Sequence, residues 1–294
     1  MAVKPRTWIL LLAAFALGVA AFQLPKGSAL SYQGKSMEKW LELYDEDGAG
    51  GLVWRRVKDS DVNENVAAAN FAVQQMGTNA LSLLLAEVQA EDWPWRTTVD
   101  GLIRQFTPLR GGWPTKRAKL RRHRAALALR ALGPAAAPAL PLLSRMLLRR
   151  DTSEDSAYAL LGLGPAALPV FMSALTNQRH GVADNWIQTC GLWGLAQNGG
   201  AAAEAVPRIL PLLQKVRVRN ITIWALGEIG ARPDLVVPAL QSIAQTEPDP
   251  VVAEFARDAL AKFEAKERAG SSNRPPGAPE NPRLTPNSST LRSN

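Results

Sequence analysis

Residues that could do chemistry are few in this chain, and their spacing argues against most enzymatic roles. It carries two histidines, His123 and His180, and one cysteine, Cys190. His123 lies within a run of cations and His180 within Asn177-Gln-Arg-His-Gly181, and neither is followed by the glutamate of a His-Glu-x-x-His helix. No cysteine and histidine cluster has the spacing of a zinc site. A Gly-x-Ser-x-Gly elbow does not occur, nor does a glycine-rich phosphate loop after a strand. Gly48-Ala-Gly-Gly51 and Gly199-Gly200 read as turns. Cys190 stands three residues before Trp193 on a helix and reads as a small buried hydrophobe. The expectation is a protein that is not an enzyme and holds no metal or cofactor.

Charge and tryptophan remain as candidates for binding. Lys116, Arg117, Lys119, Arg121, Arg122 and Arg124 place six cations in nine residues. The stretch 38–100 holds 5 basic and 12 acidic residues, a net of −7, whereas 101–150 holds 12 basic and no acidic ones. Such a patch suits phosphates, anionic lipid head groups or an acidic protein. The same cations would equally form a solvated face that pairs with the acidic N-terminal units. Among nine tryptophans, Trp93, Trp95, Trp113 and Trp186 stand outside the periodic positions described below. If exposed, they would anchor a partner.

The elements that position these residues follow from composition and repetition. With 47% apolar residues the chain can bury a large core. Alanine and leucine dominate and β-branched runs are scarce, which predicts an all-α fold. Aligning the chain on itself brings together Asn70–Gly77, Ala126–Gly133, Ala157–Gly164, Leu192–Gly199 and Ile223–Gly230. A large residue recurs at Phe71, Leu127, Tyr158, Trp193 and Trp224, with a second apolar column at Val73, Leu129, Leu160, Leu195 and Leu226. The closing glycines are separated by 56, 31, 35 and 31 residues. This predicts helices that pack one apolar face and then stop at a residue free to take positive φ. Prolines 138, 169, 207 and 238 open a second apolar segment after the stops. Each unit is then helix, glycine turn, helix, and neighbouring units must stack to bury their faces.

Several boundaries follow. Lys4 and Arg6 precede fifteen uncharged residues, Trp8 to Phe22, in the pattern of an export signal. At about 1.5 Å per residue this run is shorter than the ~30 Å hydrocarbon core, so a cleaved signal and an uncleaved anchor over residues 7–24 both fit. Residues 1–31 are assigned to this segment and its linker, and the rest of the chain is expected to be exported, either anchored to the inner membrane or periplasmic. Residues 32–62 form an N-terminal capping segment in which Ser36 opens a helix carrying Trp40, Leu41 and Leu43. Residues 63–268 form the repeat region, interrupted at 93–124 by an insertion or a degenerate repeat. The final helical segment, 251–268, keeps the columns at Leu260 and Phe263 and suits a capping helix. Residues 269–294, rich in Pro, Ser, Asn and Gly, read as a disordered tail.

The pattern resembles HEAT-repeat proteins, in the short-unit form whose helices end in Ala-Leu-Gly or Leu-Gly before small residues and proline. Here these are Ala131-Leu-Gly-Pro134, Gly162-Leu-Gly-Pro165 and Ala225-Leu-Gly-Glu-Ile-Gly230. Tyr32-Gln-Gly-Lys-Ser-Met-Glu-Lys-Trp-Leu41 is similar to the stretch that precedes such repeats in exported bacterial proteins. The resemblance implies an α-solenoid of stacked helical hairpins. It implies little about activity, because this architecture carries scaffolds, adaptors, a few lyases and a few nucleic-acid enzymes. The His-Glu pairs of metal-binding HEAT-repeat hydroxylases are missing. Three functions are therefore expected, in this order. The first is a non-catalytic scaffold of the cell envelope that holds a protein partner along the second helices. The second is a module whose basic run grips anionic lipid or wall polymer. The third is a lyase or DNA-glycosylase-like enzyme, which export of the chain disfavours, as it does any nucleic-acid partner.

Overall fold

The computed structural model describes residues 30–44, 63–91, 117–179 and 182–272. The predicted signal and anchor over residues 7–24 lie outside them, as do most of the tail and most of the stretch 93–124.

The fold is all-α, with helices packed against one another. After the short α1 (Met37–Glu42) come α2 (Glu64–Met76) and α3 (Leu81–Val88), then α4 (Arg117–Leu132) and α5 (Leu140–Leu147). These are followed by α6 (Ser153–Leu161) and α7 (Leu168–Leu175), then α8 (Asn185–Gln197) and α9 (Val206–Ile209), the last continued by a 3-10 turn at Leu210–Gln214. The chain finishes with α10 (Arg219–Ile229), α11 (Pro233–Thr246) and α12 (Pro250–Ser272). Two minimal antiparallel pairs accompany the helices: β1 (Ser31–Tyr32) with β2 (Lys35–Ser36), and β3 (Gln178–Arg179) with β4 (Val182–Ala183). Gln33 and Gly34, at φ 49° and 75°, turn the first of them.

Local chemistry explains the boundaries. Asn63 caps α2 by accepting from the Asn65 amide at 2.8 Å, and Asp184 caps α8 by accepting from Trp186 at 3.0 Å. Ser36 stands at the start of α1 as expected, although its side chain makes no capping bond. The glycine column behaves as one device: Gly77, Gly133, Gly164, Gly199 and Gly230 have φ of 56°, 64°, 56°, 54° and 54°. An L side chain at such a φ brings Cβ too close to backbone oxygen, which is why the helices stop there. A 3-10 turn then leads from each of the first four glycines into the second helix. Pro141, Pro169 and Pro207 sit in the first turns of α5, α7 and α9. Pro138 and Pro238 depart from the expectation: Pro138 lies in the 3-10 turn before α5, and Pro238 lies inside α11, which Pro233 opens.

The longer helices form a sequential row, α2 on α4, α4 on α6, α6 on α8, α8 on α10 and α10 on α12. Along it, Leu127, Tyr158, Trp193 and Trp224 are buried, as are Val73, Leu129, Leu160, Leu195 and Leu226. Phe71 breaks the column, for its side chain is 53% exposed. It stands on the outer side of the first helix of the row, where its ring meets Tyr32 of β1 edge-on at 6.3 Å instead of a neighbouring long helix. Units approach closely at Gly194, where an added Cβ would run into the Phe171 ring. Two polar ties recur between a long helix and the short helix before it. The Ser156 hydroxyl donates to the Leu143 carbonyl at 2.6 Å, and the Gln188 amide donates to the Leu175 carbonyl at 2.7 Å.

Both α2 and α3 pack directly on α4, despite the doubled glycine spacing. Residues 117–124 are therefore the first half of a regular helix rather than part of an irregular excursion. The stretch Ala118–Leu147 is long and apolar enough to cross a membrane, by length and composition. It is not a single rod: α4 ends at Leu132, Gly133 turns the chain, and α4 is packed between α2, α3 and α6. At the end of the chain, α12 runs to Ser272, four residues into the segment expected to be a tail.

Candidate functional site

The basic run is placed on α4 and much of it is already engaged. Arg121 grips Glu87 of α3 through two bonds, Nε to Oε2 at 2.6 Å and Nη2 to Oε1 at 2.7 Å. Arg122 donates from Nη1 to the Ala90 carbonyl at 2.9 Å and pairs with Asp155 at 3.5 Å. His123 Nδ1 lies 3.3 Å from the other Asp155 oxygen. Asp155 is only 2% exposed, so both neighbours hold a carboxylate that would be costly to bury alone. Lys119 is exposed and Arg124 is half-buried. Lys116 and the side chain of Arg117 lie outside the described residues. Of the two readings of this run, the pairing with acidic N-terminal residues is realised at Arg121.

His123 starts a line of rings through the core. Its ring meets Tyr158 edge-on at 5.5 Å, and Tyr158 meets Trp193 at 4.9 Å, linking α4, α6 and α8. The packing gives His123 a structural setting between a carboxylate and an aromatic ring. His180 lies outside the described residues.

Of the four tryptophans singled out by their spacing, Trp186 alone falls within the described residues, whereas Trp93, Trp95 and Trp113 lie outside them. Trp186 occupies the first turn of α8 and is half-buried against the core, so it is not a freely projecting anchor. Cys190, on the same helix, is fully buried. Burial pushes its thiol from the ordinary 9.0 up to about 12, against a smaller opposing effect of the Ser153 hydroxyl. A thiol that keeps its proton at neutral pH is a poor nucleophile and a poor metal ligand. Among the described residues, no group of three or more His, Cys, Asp or Glu gathers as it would around a metal ion.

A cleft of about 390 Å³ opens beside Arg122, between the end of α3 and the outer face of α5. Val88, Leu142 and Met146 give it an apolar floor, and Arg145 and Arg149 extend the wall that Arg122 begins. Leu142, Arg145 and Met146 share one face of α5, and Arg149 follows two residues past its end. Reading the sequence identified Arg122 but not Arg145 or Arg149, which are separated from the basic run by more than twenty residues. The four-residue interval between them, at the close of a short apolar helix, was the available signal.

Comparison of the chain with protein-family models, with curated proteins and with solved structures finds no match.

Proposed function

We propose that this protein is a non-catalytic interaction scaffold of the cell envelope, built as a HEAT-like α-solenoid. The observation that carries this reading is the row in which each long helix packs on the next while the shorter helices follow alongside. An array of this kind offers an extended surface whose ligand contacts come from successive units. The partner is a protein, held along the second helices. The buried, protonated Cys190 and the structurally engaged His123 leave the two most reactive side chain types among the described residues occupied with packing, which is consistent with binding rather than catalysis.

The alternative in which the basic run grips anionic lipid or wall polymer is weakened by Arg121 and Arg122, whose charges are already taken up by Glu87 and Asp155. The test is in-cell crosslinking of the tagged full-length chain, followed by membrane fractionation and pull-down. Recovery of a defined protein partner is expected. Recovery of lipid or wall polymer alone, lost in high salt and lost when residues 116–124 are neutralised, would overturn the scaffold reading in favour of the basic-patch module.

A further inference from the structure

Asn198 is the one asparagine of the chain that precedes a glycine. In such a pair the glycine nitrogen carries no neighbouring side chain to hinder its approach to the asparagine amide. The chemistry open to the pair needs only water. The Gly199 nitrogen attacks the Asn198 side-chain carbonyl carbon, a ring N–C bond forms, and the bond to the side-chain nitrogen breaks. Ammonia leaves with the proton that the Gly199 nitrogen gives up. Water then opens the cyclic imide at either carbonyl and yields aspartate or its β-linked isomer.

The fold holds this pair in a conformation from which the ring cannot close. Asn198 ends α8 at φ −79° and ψ −8°, and Gly199 turns the chain at φ 54°. At a helical ψ the following nitrogen points away from Cβ, so attack requires ψ to rotate out of the helical region. That rotation would carry the Asn198 carbonyl off the Ala201 amide, from which it accepts at 3.3 Å. Reaction would also break the bond from Asn198 Nδ2 to the Gly194 carbonyl, 2.8 Å long. Asn198 is half-buried and Gly199 is buried. We infer that Asn198 is a latent self-modification site, unreactive while the end of α8 is closed and converted when that turn opens. A carboxylate in its place cannot donate to the Gly194 carbonyl and stands at the negative end of the helix. The turn then closes less well, so the residue keeps a chemical record of each opening. This inference goes beyond the scaffold reading and does not depend on it.

The test incubates the full wild-type chain at mildly alkaline pH, folded in buffer and unfolded in guanidinium chloride, and follows every asparagine by peptide mass mapping. In the unfolded chain Asn198 should convert faster than any other asparagine. In the folded chain its conversion should be slower by on the order of tenfold or more, because only the opened fraction reacts. Asn198→Asp should melt below the wild type or fail to fold. Equal rates at Asn198 in the two states, another asparagine leading in the unfolded chain, or an Asn198→Asp variant that melts with the wild type would each overturn the inference.

Discussion

Ser156 and Leu143 are joined across the turn between α5 and α6 by a hydroxyl that donates to a carbonyl at 2.6 Å. Gln188 repeats the contact one unit later, reaching Leu175 at 2.7 Å, and both span 13 residues. Each bond takes a polar side chain on a buried long helix and ties it to a carbonyl of the short helix before it. In this way the polar atoms of an otherwise apolar interface are used to set the seating of one unit on the last.

Replacing Ser156 with alanine removes this tie without opening a large cavity. The expected loss is about 1 kcal/mol, the usual net worth of a buried neutral hydrogen bond. Urea unfolding of Ser156→Ala should show a lower midpoint at an unchanged slope, and an unchanged midpoint would show that the tie is energetically idle.

Arg121 and Arg122 adjoin in sequence but should differ in consequence. The Arg121–Glu87 pair is surface-exposed, so Arg121→Met should cost less than about 1 kcal/mol. Arg122→Met strips the main cation from a carboxylate that is 2% exposed and should cost on the order of 3 kcal/mol. The comparison is made by denaturant unfolding of both variants, and equal effects would refute the assignment of Asp155 as a buried, dependent charge.

Two glycines should fail for different reasons when made alanine. Around Gly164 nothing would touch an added Cβ within 4 Å, but φ is 56°, so Gly164→Ala should cost about 1 to 2 kcal/mol through the backbone and Gly164→Asn less. At Gly194 the backbone is helical and the obstacle is the Phe171 ring, so Gly194→Ala should cost about 1 to 3 kcal/mol or more. Shrinking the neighbour with Phe171→Leu should recover part of the loss at Gly194 and none at Gly164, as read from melting temperatures.

Cys190 sets a dependence on alkaline pH. Its thiol ionises near 9.0 in the unfolded chain but is raised to about 12 by burial, so above pH 9 the unfolded state releases a proton that the folded state keeps. Stability from this group is complete below the unfolded value and should decline by up to about 1.4 kcal/mol per pH unit as pH rises between the two. Urea midpoints at pH 8 and pH 10 should therefore diverge more in the wild type than in Cys190→Ala. Equal divergence would place the alkaline sensitivity elsewhere.

The helical units were legible in the sequence because their signals are local. A glycine after an apolar helix and a proline in the next turn each act within a few residues of where they stand. The columns also predicted burial at Leu127, Tyr158, Trp193 and Trp224, and failed at Phe71. Column membership presupposes a neighbouring long helix, and Phe71 faces the edge of the row. The cations of α4 were visible as a group, but not their partners, which lie 32 to 34 residues away on other helices. Ser156 and Gln188 escaped notice because a polar residue in an alanine-rich helix looks the same whether it faces water or a carbonyl. Arg122 and Arg145 had no common pattern at all, since only the fold brings them to one cleft.

The bond from Arg122 to the Ala90 carbonyl bears on how the first two units are joined. It fastens the start of α4 to the end of α3, and the two helices also pack along one another. The joint between the first two units is therefore clamped through space, and its geometry is set by side chains that meet across it as much as by the order of the chain.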